Sequence, residues 1–368
     1  MSEIKYPVYQ PYLHGNEKKY VNECLDSTWI SSKGKFIKEF EEKFADYIDV
    51  KFATGVSNGT IALHLALLAL GIGKGDEVIV PSFTYIASVN AIAYTGAIPV
   101  FVDSMRDTWQ MDSEDVKRKI TEKTRAIMPV HLYGQMCNMD ELTKIAREHN
   151  LFIIEDCAES FGSKFNNKYA GSFGDISCFS FFGNKTITTG EGGMVVTNDK
   201  TLYERAVHLK GQGLAKYREY WHDIIGYNYR MTNIVAAIGL AQLEQADEII
   251  NKKREIFDWY KNELKDSPLE LHKEANNSLH TFWMINILVD EPSTRDNLRD
   301  HLRSFGIETR PTFYPIHTMP MYSQKYHKLP VAEYLGWRGI NLPSYPDLQL
   351  EDVKFICNKI KDYFSQNA

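Results

Sequence analysis

This chain of 368 residues has few cysteines, no long hydrophobic run and no block of basic residues, and each absence removes a class of function. Its five cysteines, at 24, 137, 157, 178 and 357, are odd in number and form no CxxC pair, so neither a disulfide framework nor a zinc knuckle is predicted. No metal site is expected, and a reducing compartment suits the pattern. The longest apolar stretch, around IALHLALLALGI, falls short of the roughly 20 residues that cross a bilayer. The opening MSEIKYPVYQPYLHGNEKKY lacks the apolar core of a secretory leader. A net charge of −6 offers no general attraction to phosphate backbones. The expectation is a cytoplasmic globular protein with neither membrane nor nucleic-acid partners. Internal repeats and low-complexity segments are also missing.

What is present, between about residues 50 and 200, is a series of short β-branched runs alternating with helical patterns. The runs are KFATGV, DEVIVP, IPVFVD, RAIMPVH, LFIIED, ISCFSFF and GMVVT. Most are continuously apolar, which marks strands covered on both faces and predicts a largely parallel, seven-stranded α/β sheet. TIALHLALLAL and NMDELTKIAREHN read as covering helices, the second capped by Asn138. The length predicts a second unit. After about residue 245 the texture changes to the charged helix ADEIINKKREIFDWYKNELK and a proline-bearing segment, ETRPTFYPIHTMPMY. A large α/β domain over 1–245 and a smaller α+β domain over 246–368 are therefore expected. The glycines of LGIGKGDE lie between a helix and a strand and read as a connecting turn, not as a dinucleotide fingerprint.

Three features carry chemistry. In GVSNGTIALHLALLAL a strand ends and Ser57, Asn58, Gly59 and Thr60 lead directly into a helix. Free amides, hydroxyls and a glycine at such a start suit a phosphate, although alone they are equally an N-cap and a tight turn. In FIIEDCAES a strand ends on Asp156, where ligands of open α/β sheets bind. That carboxylate can pair a cationic ring nitrogen or simply cap a turn; Glu155 should point the other way on the strand. Lys185, in FSFFGNKTITTGEGGMVV, follows one βαβ-sized step later, just past Ser180. A lysine beside glycines is usually a solvated loop residue, but together the three features describe one rim of one sheet. A P-loop is excluded because Asn184 precedes Lys185 where a glycine is required. Pyridoxal phosphate (PLP) chemistry uses all three: a lysine that condenses with the cofactor's aldehyde, an acid on the ring nitrogen and a helix N-terminus for the phosphate. Partial burial would lower the pKa of Lys185 enough for it to carry protons near neutral pH.

Nearly end to end, the chain resembles the sugar-nucleotide aminotransferases of fold type I, the DegT/DnrJ/EryC1/StrS family. The likeness rests on DSTWISSKGKFIKEFE, VSNGTIALHLALLALG, GDEVIVPSFTYIASVNAI, VHLYGQ, IEDCAE, GDISCFSFFGNKTITTGEGGMVV, WHDIIGYNYRMTNI, ETRPTFYPIHTMPMY and WRGINLPS. The resemblance implies PLP as cofactor, bonded by Lys185, with Asp156 on the ring nitrogen and Glu159 near the phenolic oxygen. Many relatives have glutamine where Glu159 stands, and a carboxylate there should be protonated or displaced. It also implies a phosphate held by Gly59 and Thr60 amides with Ser57, Asn58 and Ser180, and Tyr85 stacked on the cofactor. Asn228 would reach the cofactor phosphate of a second subunit in a homodimer. Arg310, Tyr314, His317 and Arg338 are candidates for the nucleotide sugar, each arginine having a surface ion pair as its plain alternative.

The implied reaction moves an amino group from L-glutamate to carbon 4 of GDP-4-keto-6-deoxymannose, for polysaccharide or O-antigen sugar synthesis. A dTDP- or UDP-linked 4-keto sugar is the near alternative. Dehydration at carbon 3 is a more distant one, since relatives with that chemistry carry histidine where Lys185 stands. A non-catalytic sugar-nucleotide binder would need neither Lys185 nor Asp156.

Overall fold

The computed structural model describes residues 3–323 and 327–367. The first nine strands are β1 (Phe52–Val56), β2 (Glu77–Pro81), β3 (Ile98–Val102), β4 (Thr124–Ile127), β5 (Phe152–Asp156), β6 (Lys164–Phe165), β7 (Lys168–Tyr169), β8 (Ile176–Ser180) and β9 (Gly193–Thr197). Seven of them form one sheet in the order β1-β9-β8-β5-β4-β2-β3. Only β9 runs antiparallel to its neighbours, β1 and β8; the remaining pairs are parallel. All seven apolar runs read from the sequence are strands of this sheet.

The lack of in-and-out alternation has the expected cause. Successive side chains enter different cores: Ile154 and Cys178 join Leu63, Leu67 and Val80 on one face, whereas Ile153 and Phe179 join Phe40 and Phe44 on the other. The first face is covered by the helix Gly59–Leu70, whose interior is almost wholly apolar because it is itself sandwiched. Asn58 caps that helix by accepting the Ile61 amide, and Gly71, at φ 76°, ends it in the left-handed region that glycine favours. Asn138 caps Met139–His149 in the same way through the Glu141 amide.

Beyond the helix Ala246–Glu263 come β10 (Glu270–Leu271), β11 (Ser278–Leu279), β12 (Ile285–Leu288), β13 (Arg310–Pro311) and β14 (Gly339–Leu342). Four of these make an antiparallel sheet, β10-β12-β14-β13, with a core that includes Ile256, Tyr260, Ile287, Leu298, Ile340 and Ile356. Strand β11 instead pairs with β6, which pairs with β7, forming a separate three-stranded sheet with the segment between β5 and β8. Among the described residues no helix is long and apolar enough to cross a membrane.

Strand register decides what meets at the rim. Ser180 at the end of β8 pairs with Gly193, and Gly193 pairs with Val56 at the end of β1. Asp156 at the end of β5 pairs with Cys178. The starts of the Ser57–Thr60 segment, the Lys185 loop and the Asp156 turn therefore lie along one edge.

Candidate active site

Two glycines allow the close approach at this edge. A Cβ on Gly59 would fall 2.5 Å from the Ser180 Cβ, and one on Gly193 would fall 2.7 Å from the Asn58 carbonyl carbon. With the Asn58 side chain engaged at Ile61, the amides of Gly59 and Thr60 open the helix with no acceptor inside it. The Ser57 amide is taken by the Tyr229 carbonyl at 3.0 Å.

Lys185 sits in a turn just after β8, its amide bonded to the Phe182 carbonyl at 2.8 Å. Its Nζ lies 3.7 Å from Glu159 Oε1 and 3.9 Å from the centre of the Trp283 ring. Burial lowers its pKa, while Glu159 and then Asp156 resist that fall. Asp156 accepts from the Ser88 hydroxyl at 2.7 Å and the Ala158 amide at 3.1 Å. Burial pushes its carboxyl up, and these two donors together with Lys185 pull it back. Glu159 accepts the Tyr133 amide at 2.9 Å, and burial raises its carboxyl to about 7 against the pull of Lys185. The side chain expected to be protonated is thus poised to share a proton.

Tyr85, 57% exposed, precedes the helix Ile86–Tyr94 that carries Ser88, and its ring lies 5.6 Å from Phe313. Phe313 stacks on Tyr133 at 5.4 Å, and Tyr133 lies parallel to Trp283, so an aromatic wall stands beside the amine. Asn228 is exposed and accepts from Arg230 Nε at 3.0 Å.

The four candidates for the nucleotide sugar are held elsewhere. His317 is buried between Ser82, at 2.6 Å, and Glu333, at 3.2 Å. Arg310 pairs with Glu308, Arg338 reaches the Asp290 carbonyl and Glu291, and Tyr314 packs on Trp337. No hydrogen bond, ion pair or ring contact among the described residues joins any of the four to Lys185, Asp156 or Glu159.

Glu155 faces the opposite core, where its carboxylate accepts from His131, the Gly171, Phe173 and Gly174 amides and the Ser177 hydroxyl. The His131, Glu155 and Cys157 donor atoms lie within 4.8 Å of one another, a metal-like spacing. Their electron pairs are committed, however, since His131 Nδ1 also accepts the Cys137 amide. This cluster braces the strand end that presents Asp156: the Asp156 amide and carbonyl bond Pro129 and His131.

Sequence reasoning missed Ser88, Tyr133, Trp283 and Tyr9. Ser88 was within reach, one helical turn from Tyr85 in PSFTYIAS. The others come from segments with no local signal of chemistry.

The residues fit PLP. Among the described residues, buried Asn184 Oδ1 and Thr186 Oγ1, flanking Lys185, have no partner, and Asp156 has two neutral donors but no cation at hydrogen-bonding distance. A cationic ring with an anionic tail would satisfy the carboxylate and the open amides together.

A model of the DegT/DnrJ/EryC1/StrS aminotransferase family matches residues 11–361. The chain is 66% identical to the GDP-perosamine synthase of Escherichia coli O157:H7, over 98% of this chain and 100% of that one. It is 53% identical to the GDP-perosamine synthase of Vibrio cholerae, over 98% and 99%. Among solved structures, a Streptococcus pneumoniae protein in its PLP form superposes with a TM-score of 0.93 at 28% identity, covering 100% of both chains.

Proposed function

This chain belongs to the DegT/DnrJ/EryC1/StrS aminotransferase family, and from that premise we propose that it makes GDP-perosamine. The reaction is PLP-dependent transfer of an amino group from L-glutamate to carbon 4 of GDP-4-keto-6-deoxymannose. The observation that carries the sugar assignment is the 66% identity to a GDP-perosamine synthase along the whole chain. The chemistry is supported by the buried Lys185 amine, 3.7 Å from Glu159, at the rim that also carries Asp156 and the open amides.

Bound PLP supplies an electron sink for the carbanion left when a substrate carbon loses its proton. Asp156, steadied by Ser88 and the Ala158 amide, keeps a ring-nitrogen proton in place. The Gly59 and Thr60 amides would hold the phosphate with Ser57, Asn58 and Ser180, and Tyr85 would cover the ring face. Lys185 Nζ takes the proton from Cα of glutamate in one half-reaction and delivers one to carbon 4 of the sugar in the other. Burial lowers its pKa and so favours the neutral amine that can accept a proton. Glu159, raised to about 7, exchanges that proton with it over a short path. The Tyr133, Phe313 and Trp283 rings keep water from the amine. One lysine serving both halves implies ping-pong kinetics.

The reading extends to a homodimer in which Asn228 reaches the other subunit's phosphate. Tyr220 and Ile225, 93% and 90% exposed on the preceding segment, support burial against a second copy. Five free, buried cysteines support the cytoplasm as its place of work.

Purified protein mixed with glutamate and a panel of 4-keto sugar nucleotides tests the reading. Release of 2-oxoglutarate with the GDP sugar is expected. Preference for the dTDP or UDP sugar would overturn the nucleotide, and no release with any of them would overturn the activity.

A further inference from the structure

The turn that carries Lys185 is gripped from two distant segments. Trp283 Nε1 donates to the Asn184 carbonyl, and the Tyr9 hydroxyl donates to the Lys185 carbonyl, each at 2.6 Å. Consecutive carbonyls are thus held by side chains that lie far apart in sequence and are brought together only by the fold. Trp283 does more than clamp, because its ring centre lies 3.9 Å from the Lys185 Nζ.

The backbone before Trp283 is built to present it. Phe282 adopts φ 48°, a left-handed conformation that is unfavourable for a bulky residue. The turn is held there by the Phe282 amide on His280 Nδ1 at 2.9 Å, the Thr281 hydroxyl against Ser163 at 2.8 Å, and the Phe282 ring stacked on Phe257. Phe282 faces Phe257 and His280, while Trp283 faces Asn184 and Lys185. Such strain persists where the surroundings over-determine it, often at functional sites.

We propose that Trp283 is a positioning residue for Lys185, fixing the turn through Asn184 and backing the reactive amine with its indole face. The proposal rests on the reading of Lys185 as that amine. An indole face stabilises the protonated amine, most strongly where water is excluded. The ionisable groups that share this setting are Glu159 and Asp156 at and after the end of β5, Tyr133 from the loop after β4, and Tyr9, with Lys253 beyond the Tyr9 ring. Glu159 and Asp156 favour the charged amine as well, so Trp283 acts beside them against the cost of burial.

The test reads the amine directly, in the full-length protein without cofactor, so it holds even if the sugar assignment fails. Competitive acylation with acetic anhydride across pH, followed by mass analysis of the Lys185 peptide, gives the midpoint at which the amine becomes reactive. In Trp283→Leu the midpoint should fall by about one pH unit. Trp283→Phe keeps a ring face but loses the indole N–H. Its midpoint should move less than half as far, while hydrogen exchange over residues 183–187 quickens about fivefold. Tyr9→Phe should quicken the same exchange without moving the midpoint. General loss of stability would expose the amine and raise the midpoint toward the ordinary lysine value, the opposite direction, and if Trp283→Leu fails to fold, Trp283→Met removes the same face. An unmoved midpoint in the aliphatic variant overturns the backing role, and unmoved exchange in Trp283→Phe overturns the clamp.

Discussion

Lys185 at the sheet rim and Lys253 on the helix Ala246–Glu263 are both withdrawn from solvent, and their neighbours differ. Lys185 meets carboxylates: Glu159 at 3.7 Å and the Asp156 charge beyond it. Among the described residues, the amine of Lys253, fully buried on the helix Ala246–Glu263, meets the Ser344 carbonyl at 2.7 Å and, at 5.1 Å, the Tyr9 ring. Burial alone draws Lys253 down to about 7. Depressed basicity is therefore no mark of catalysis. The role proposed for Lys185 asks for what Lys253 lacks among the described residues: a neighbour that can exchange its proton, together with open hydrogen donors for a ligand.

The largest expected effect falls on the rim. Lys185→Ala should lower turnover roughly 10⁴-fold or more and abolish the visible absorbance of bound PLP, whereas Lys253→Met should stay within about threefold of wild type. Comparable losses in the two variants would erase the distinction. Asp156→Ala comes next: PLP should remain bound while turnover slows roughly 10³-fold, and near-normal rates would remove the carboxylate from the reaction. Thr60→Ala, which removes the hydroxyl and keeps the amide, should weaken PLP binding about tenfold if that hydroxyl adds one hydrogen bond to the phosphate, and unchanged affinity would count the hydroxyl out of the cradle.

The smallest effect sharpens the Lys253 side. Lys253 is held near 7 when folded but is expected near 10.4 when unfolded, so from pH 7 to about 10 the unfolded chain binds the extra proton and folding gains stability as pH rises. Lys253→Met should remove that slope and add about 2 kcal/mol at pH 6, a gain that fades by pH 10. Denaturant midpoints across pH measure it, and a variant that parallels wild type at every pH would mean that Lys253 does not titrate inside the fold.

Much of the rim was legible in the chain because its parts are local. A capped helix start announces free amides by residue type, and an apolar run that ends in Glu155 and Asp156 announces a strand end with an acid on either face. Trp283 and Tyr9 were not legible: FWMINI and YPVYQ carry no motif, and nothing in either places it against residues 184 and 185. Arg310 and Arg338, candidates by the family resemblance, pair within this chain with Glu308 and with Asp290 and Glu291. Charge alone does not say which partner lies nearest.

By itself the sequence determined the seven apolar strands and the helix caps at Asn58 and Asn138, and it singled out the amine, the acid and the helix start on which the proposed chemistry rests, since each follows from neighbours within about one turn or one strand. Only the tertiary structure decided that Ser180, Gly193 and Val56 share a register, that Trp283 backs Lys185, and that Lys253 is sealed away from any acid. Those outcomes depend on packing between segments far apart in the chain, where proximity is set by the whole core and not by local preference.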